Sequence, residues 1–431
     1  MGIPSDGGFL QYHSMKTTGC LAAVAWLLLC SAAIQAEDWP QFRGAHRDNI
    51  SRETGLLRAW PEGGPTELWR LEVGQGYSAA AIFDGKVYFN DYDEAGAEWQ
   101  VRSVSLQDGT ELWRFREPRR IRPNHGITRT VPAVDGKLVY ALDPKTVLHA
   151  LDAATGEEVW RKNLVEEYGA KIPPWYNGQC PLLDGDRLII APGGAALVVA
   201  LDRATGDEIW RTPNPEGWPM SHASLMPATL VGTKQYLYNT LFGTVGVAAD
   251  DGRLLWHFPF KFNVAVAPSP LALEGDRVFI TAGYDAGGAI LEVTGSGTGM
   301  QAQAAVQVTP DIWNSEIHTP IVHDGHFFGV GRHKRGLFSC LTKKGEVVWT
   351  SEGKVSFEQG SYLLADGMFF VLEGTTGVLR LVEARTDEYR ELAKAQILGG
   401  HDVWGPMALS DGKLVLRDMR QMVCLDVKNG G

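Results

Sequence analysis

The chain has 431 residues, 44% of them hydrophobic and 21% charged, which supplies a large core and excludes a disordered or low-complexity polypeptide. A formal net charge of −11 without a basic stripe excludes a general phosphate-binding surface, so no nucleic-acid partner is expected. Fifty glycines together with 14 tryptophans point to many short strands meeting at tight turns, an all-β chain.

In chain order, the first feature is a targeting segment. Lys16 precedes an apolar run from Leu21 to Leu29 and small residues that end at Ile34-Gln35-Ala36, so cleavage is expected after Ala36. Met15 starts such a segment more naturally than Met1, because Gly2 to Ser14 is polar. Residues 1–36 are therefore read as a signal peptide and the mature chain as exported, periplasmic or otherwise outside the cytoplasm; an uncleaved anchor is the alternative. Leu29 before Cys30 argues against a lipid anchor, and no transmembrane domain is expected after cleavage.

Residues 37–65 form an extension that carries Trp39-Pro40-Gln41-Phe42-Arg43-Gly44. Two readings are open. The segment packs across a propeller face as a structural plug, or Arg43 and Gln41 contribute to ligand recognition.

From residue 66 onward a unit recurs every forty to fifty residues or so. Its opening half is strand, Gly-containing turn, strand, as in VPAVDGKLVYAL from Val131. Its closing half is strand, Asp-x-x-Thr-Gly turn, strand ending in tryptophan, as in Asp152 with Thr155, Gly156 and Trp160, and Asp202 with Thr205, Gly206 and Trp210. Asp-Gly tolerates positive φ between strands, and the aspartate of the second turn accepts backbone N–H bonds locally, so these carboxylates are structural. Opening turns fall at Asp84-Gly85, Asp135-Gly136, Asp184-Gly185, Val231-Gly232, Glu274-Gly275, Asp324-Gly325, Asp366-Gly367 and Asp411-Gly412, which makes eight units. Closing tryptophans are Trp69, Trp113, Trp160, Trp210, Trp256 and Trp349, with Trp313 assigned to unit five and Tyr389 to unit seven. The repeat begins with a lone closing strand, TELWRLEV, and stops after MVCLDVKNG with none. An eight-bladed β-propeller of four-stranded blades, closed by residues 66–73 as the outer strand of the last blade, uses both ends and removes two exposed sheet edges.

With these segments in hand, and with SHASLMPATL from Ser221, VFITAGYDAGGAILEV from Val278 and YRELAKAQILGG from Tyr389, the chain resembles the PQQ-like repeat propellers, in particular the exported planctomycete-type subgroup that begins with the Trp-Pro-Gln-Phe-Arg-Gly motif. It is also similar in architecture to BamB, the propeller of the outer-membrane β-barrel assembly machinery, which serves as a protein-binding platform. The resemblance implies the blades. It does not imply the cofactor, since quinoprotein dehydrogenases hold PQQ against a ring made by two adjacent disulfide-linked cysteines and no Cys-Cys pair occurs here.

A propeller binds at the mouth of its channel, through the loops leading into the innermost strands. The side chains preceding those strands are Tyr77, His125, Arg129, Asn177, Gln179, His222, Asn263, His318, Gln359 and Trp404, and they are the candidate ligand-binding ring; the bland reading is that such groups hydrogen-bond loops and water. Arg119, Arg120 and Arg122 read as a solvated loop, and GSGTG from Gly295 as a blade-linking loop. His323 and His326 are expected to point apart, giving no zinc site. Cys340 and Cys424 occupy the slot of Ala150 and Ala200, a small strand position, and with Cys180 are expected as free core thiols. The expected role is a monomeric binding or scaffolding module for an envelope protein or small polar ligand, with no catalytic or metal residues assigned. The alternative is a PQQ-dependent or other quinone-dependent oxidoreductase.

Overall fold

The chain forms eight antiparallel sheets in a computed structural model that describes residues 37–331 and 336–429. The expected signal segment and its cleavage point at Ala36 lie outside the described residues. Blade one shows the plan, with strands Ala81–Phe83, Lys86–Asp93, Glu98–Ser105 and Glu111–Pro118 running from the channel outward. Five opening turns, at Asp84, Val231, Asp324, Asp366 and Asp411, have both central residues at positive φ, which suits two-residue hairpins and the Asp-Gly pairs found at four of them. In the closing turns Asp152 Oδ1 accepts from the amides of Ala154 and Thr155, both at 2.9 Å, as a structural aspartate should.

Strands are apolar on both faces because each blade is covered twice. Within Leu138–Leu142, Val139 and Ala141 pack toward blade one, while Tyr140 and Leu142 pack toward blade three. The core is accordingly a circle of clusters between neighbouring blades. One of these joins blades seven, eight and one. The strand Thr66–Glu72 pairs antiparallel with Gln421–Asp426 and completes blade eight, so the ring is closed as expected from the repeat phase.

The tryptophans follow a register rule. Trp69, Trp113, Trp160, Trp210, Trp256 and Trp349 each follow a one-residue bulge and lie opposite Cys424, Ser103, Ala150, Ala200, Gly246 and Cys340. A small partner leaves room for the indole, which reaches into the next blade. A Cβ on Gly156 would sit 2.6 Å from the Trp113 ring, and Trp113 Nε1 donates to the carbonyl of Ala153 at 3.0 Å. Trp69 does the same across the seam, against Gly109 and the carbonyl of Leu106. Cys340 and Cys424 are thus small residues under indoles, and both are buried and unbridged.

Blades five and seven depart from the expected assignment. Their slot is held by Val306 opposite Ile290 and by Ala393 opposite Leu381, a smaller residue facing a larger one. Trp313 follows the strand Gln301–Val308 and is buried against blade six, and Tyr389 precedes Glu391–Gln396 and packs edge-on to Trp349 at 5.9 Å. Spacing between aromatics does not fix strand register; pairing does. Gly295 to Gly299 is the turn between strands Gly287–Thr294 and Gln301–Val308 inside blade five, so it does not link blades. His323 and His326 are directly paired and therefore share a face, contrary to the expectation that they point apart.

The extension enters the channel from the end that carries the opening turns. Asp38 accepts from the amide of Asp84, and Trp39 bridges Ile82. Pro40 receives the amide of Val134, Arg47 donates to the carbonyl of Pro181, and Arg43 donates to those of Thr319 and Pro320. The chain then runs parallel to the innermost strand of blade seven through Ile50–Ser51, giving that sheet a fifth strand. This segment is a plug that ties blades one, two, three, six and seven together. Arg43 and Gln41 are buried with their polar atoms bonded to protein, so ligand recognition by them is the reading that fails.

Candidate functional site

Above the plug, at the end fed by the blade-to-blade loops, lies a cavity of about 350 Å³. Phe42, on the plug, contributes to its lining, and the connection into every blade supplies a wall: Tyr77, Arg129, Trp175, His222, Ala267, His318, Gln359 and Trp404 in order around the ring. Seven of the ten expected residues line it, namely Tyr77, His125, Arg129, His222, His318, Gln359 and Trp404. Three do not. Gln179 is fully buried and bonds the carbonyl of Ala191, Asn177 turns inward to the carbonyl of Asp143, and Asn263 lies further out and bonds the carbonyl of Tyr284 at 2.8 Å. Asn177 and Gln179 alternate with Gly178 and Cys180, which do face the cavity, so the segment was right and the parity wrong. Also missed were Phe42, Trp175, Tyr284 and Glu316. Trp175 carried a signal, an aromatic pair after two prolines in a loop; Phe42 carried none, since only the folded plug brings it there.

The walls are aromatic and preset. Tyr77 and Trp404 stack at 5.4 Å with 16° between planes, and the Arg129 guanidinium lies 5.6 Å from the Tyr77 centroid. Several rim residues hold a left-handed backbone: His125, Trp175, Tyr176, Tyr284 and Glu358 all have positive φ without being glycine.

The polar groups are mostly committed. Arg129 donates to the carbonyls of Asn124, His125 and Gly126, and burial lowers it to about 10. His222 Nε2 donates to the carbonyl of Pro174 at 2.9 Å and His318 Nε2 to that of Gln359 at 3.1 Å. A carbonyl only accepts, so the His318 ring carries its proton on Nε2 and leaves Nδ1 as an acceptor, while His222 has the Tyr176 backbone as a second partner. Burial pushes both imidazoles down, His318 to about 4, so they are neutral at pH 7. Gln359 donates its side-chain amide to Glu316. Burial lifts the Tyr77 phenol above its ordinary range, with Asp402 adding to the effect, and raises the Cys180 thiol, which is only 2% exposed.

The family described as "Outer membrane protein assembly factor BamB" matches residues 97–351, more than half of the chain. The chain belongs to this family. Among solved structures it is similar to BamB from Moraxella catarrhalis, at 14% identity and TM-score 0.56 over 84% of this chain and 97% of that one. It is similar as well to a europium-containing methanol dehydrogenase, at 13% identity and TM-score 0.63 over 90% and 89%. The computationally designed Ika8 protein shares the fold at 13% identity and TM-score 0.52 over 84% and 100%. No curated protein sequence matches significantly. An assembly factor, an enzyme and a design on one BamB-type fold leave the site to decide function.

The quinone and calcium of the PQQ enzymes can be tested against the residues present. A tricarboxylated quinone calls for free cationic donors, whereas among the described residues that line the cavity the one guanidinium, that of Arg129, spends its N–H groups on its own loop. Calcium needs several hard oxygen ligands, and among the described residues no cluster of three His, Cys, Asp or Glu side chains could hold a metal. Among the described residues the donor set does not fit that pair.

Proposed function

We propose that this BamB-type propeller is an exported binding module that captures its ligand at the channel mouth and does not transform it. One observation carries the reading: eight separate connections and the plug converge on one aromatic cavity most of whose polar groups are committed to the protein itself. Such a site offers shape, stacking surface and a few fixed acceptors, which is what small-molecule recognition uses. Among the described residues no helix is long and apolar enough to cross a membrane. Export rests on the amino-terminal segment, and monomeric behaviour on a ring closed within the chain by the strand Thr66–Glu72.

Adding PQQ and calcium to the purified protein tests the enzymatic alternative. No quinone absorption change and no dye-linked oxidation of alcohols or sugars is the expected result, and stoichiometric uptake of PQQ overturns the binding reading. A second test fills the site. Ala267 lines the cavity and is half-buried, so Ala267→Trp should abolish ligand capture with the unfolding midpoint preserved.

A further inference from the structure

We propose that the Arg47 guanidinium, deep in the plug, binds a small monovalent anion, no larger than a halide or formate, on the edge formed by Nε and Nη2. This site is separate from the mouth cavity and holds whatever the mouth binds.

Arg47 is only 1% exposed, and its hydrogen bonds all leave from one nitrogen. Nη1 donates to the carbonyl of Pro181 at 2.9 Å and to Oε1 of Gln41 at 3.1 Å, whereas Nε and Nη2 have no hydrogen-bond partner among the described residues. These two nitrogens share one edge of a planar group and point their N–H bonds side by side, the fork on which a guanidinium chelates an anion. Buried donors are nearly always paired, so the fork calls for an acceptor. Charge decides which kind. Arg43 and Arg47 are wound into one tight turn, Arg43 Nε donating to the carbonyl of Arg47 at 2.9 Å, and their like charges oppose each other. Burial lowers both guanidiniums to about 10, which leaves both cationic at pH 7. Every bond they make nevertheless ends on a backbone carbonyl or on the Gln41 amide. Asp48 acts on Arg43 from a distance, but its carboxylate is held by Arg52 at 2.7 Å. Cys180 lies near Arg47, and burial raises its thiol, so it is neutral at pH 7 and supplies no counter-charge. The Phe42 ring, its centroid 5.7 Å from the Arg47 guanidinium carbon, adds a cation–π contact without a charge. A buried ion left without a counter-charge is strongly destabilising. A water on the fork would satisfy its N–H groups and leave that charge in place; an anion answers both needs. Enclosure by protein restricts the anion to a small one.

The test is urea unfolding of the full mature chain at constant ionic strength, with sodium gluconate, whose anion is too large for the plug, replaced stepwise by chloride, bromide or formate. Linkage predicts a midpoint that rises and then follows the logarithm of anion concentration, the folding equilibrium constant growing about a hundredfold when the anion reaches about a hundred times its Kd. Formate separates a planar oxyanion from a halide. Arg47→Gln should abolish the rise. Because Arg47→Gln gives up the bonds to Pro181 and could fail to fold, Gln41→Glu supplies an independent readout. It sets a carboxylate oxygen where Arg47 Nη1 already donates, at the loss of the bond from the Gln41 amide to the carbonyl of Ala45. Whatever its own midpoint, it should weaken anion binding about tenfold or more, since the counter-charge is then built in. Bromide-soaked crystals should show an anomalous peak beside Nε and Nη2. A midpoint that does not distinguish chloride, bromide or formate from gluconate overturns the inference. A rise that Gln41→Glu leaves intact means that the charge on Arg47 does not hold the anion, and overturns it as well.

Discussion

The plugged half of the channel and its open mouth are built from the same materials, arginine and aromatic side chains, yet their hydrogen bonds reach over different distances. Arg43 in the plug donates to carbonyls of Thr319 and Pro320, more than 270 residues away in sequence. Arg129 at the mouth donates to carbonyls three to five residues behind it. The first kind of bond ties blades together; the second only shapes a loop. A channel can therefore be held shut at one end and left receptive at the other, because tying and receiving are done by different residues.

Several substitutions can break this contrast, and the largest effects belong to the plug segment. Arg43→Ala leaves several buried carbonyls without donors, at about 1–3 kcal/mol each, so a loss of at least about 3 kcal/mol is expected in urea unfolding. Trp69→Ala, on the strand that closes the ring from the same amino-terminal segment, should cost about 3–5 kcal/mol. The same loss for Trp113→Ala would show that the seam is as well packed as an ordinary blade contact. Trp404→Ala at the mouth removes a stacked pair worth about 0.5–1.5 kcal/mol beyond its buried area, and thermal unfolding should register it as a smaller shift than Arg43→Ala or Trp69→Ala. Arg129→Ala should cost about 1 kcal/mol, since its bonds are local and its loop can turn to water. If Arg129→Ala proved as damaging as Arg43→Ala, the contrast between the two regions would be lost.

The smallest effect is a pH slope. His318 faces the mouth with Glu316 and Gln359 beside it, Tyr362 edge-on at 5.7 Å and the Arg43 charge below, and burial lowers it from 6.5 to about 4. The unfolded chain takes up this proton near pH 6.5 and the folded chain only near pH 4. Stability from this group is therefore complete above pH 6.5, falls as pH drops toward 4, and is level below that. His318→Gln should flatten the urea midpoint over that window, and an unchanged slope would assign the acid sensitivity to other groups.

The number of blades, the antiparallel hairpins, the structural aspartates and the strand that closes the ring are all legible in the amino-acid order. Each is written in contacts a few residues apart, such as Asp152 and its own turn, or in the phase of the repeat at the chain ends. Seven of the ten residues expected at the channel mouth line the cavity, because residues leading into innermost strands sit near the channel. Only the tertiary structure decided which side of each loop faces the cavity, since a shift of one residue exchanges Gln179 for Cys180. The same holds for the indole slots of blades five and seven, where cross-strand pairing with Ile290 and Leu381, and not the nearest aromatic, defines the position. Phe42 reaches the cavity for a reason no local pattern contains. The plug's place is set by bonds to several blades, those of Arg43 reaching carbonyls 276 and 277 residues away in sequence.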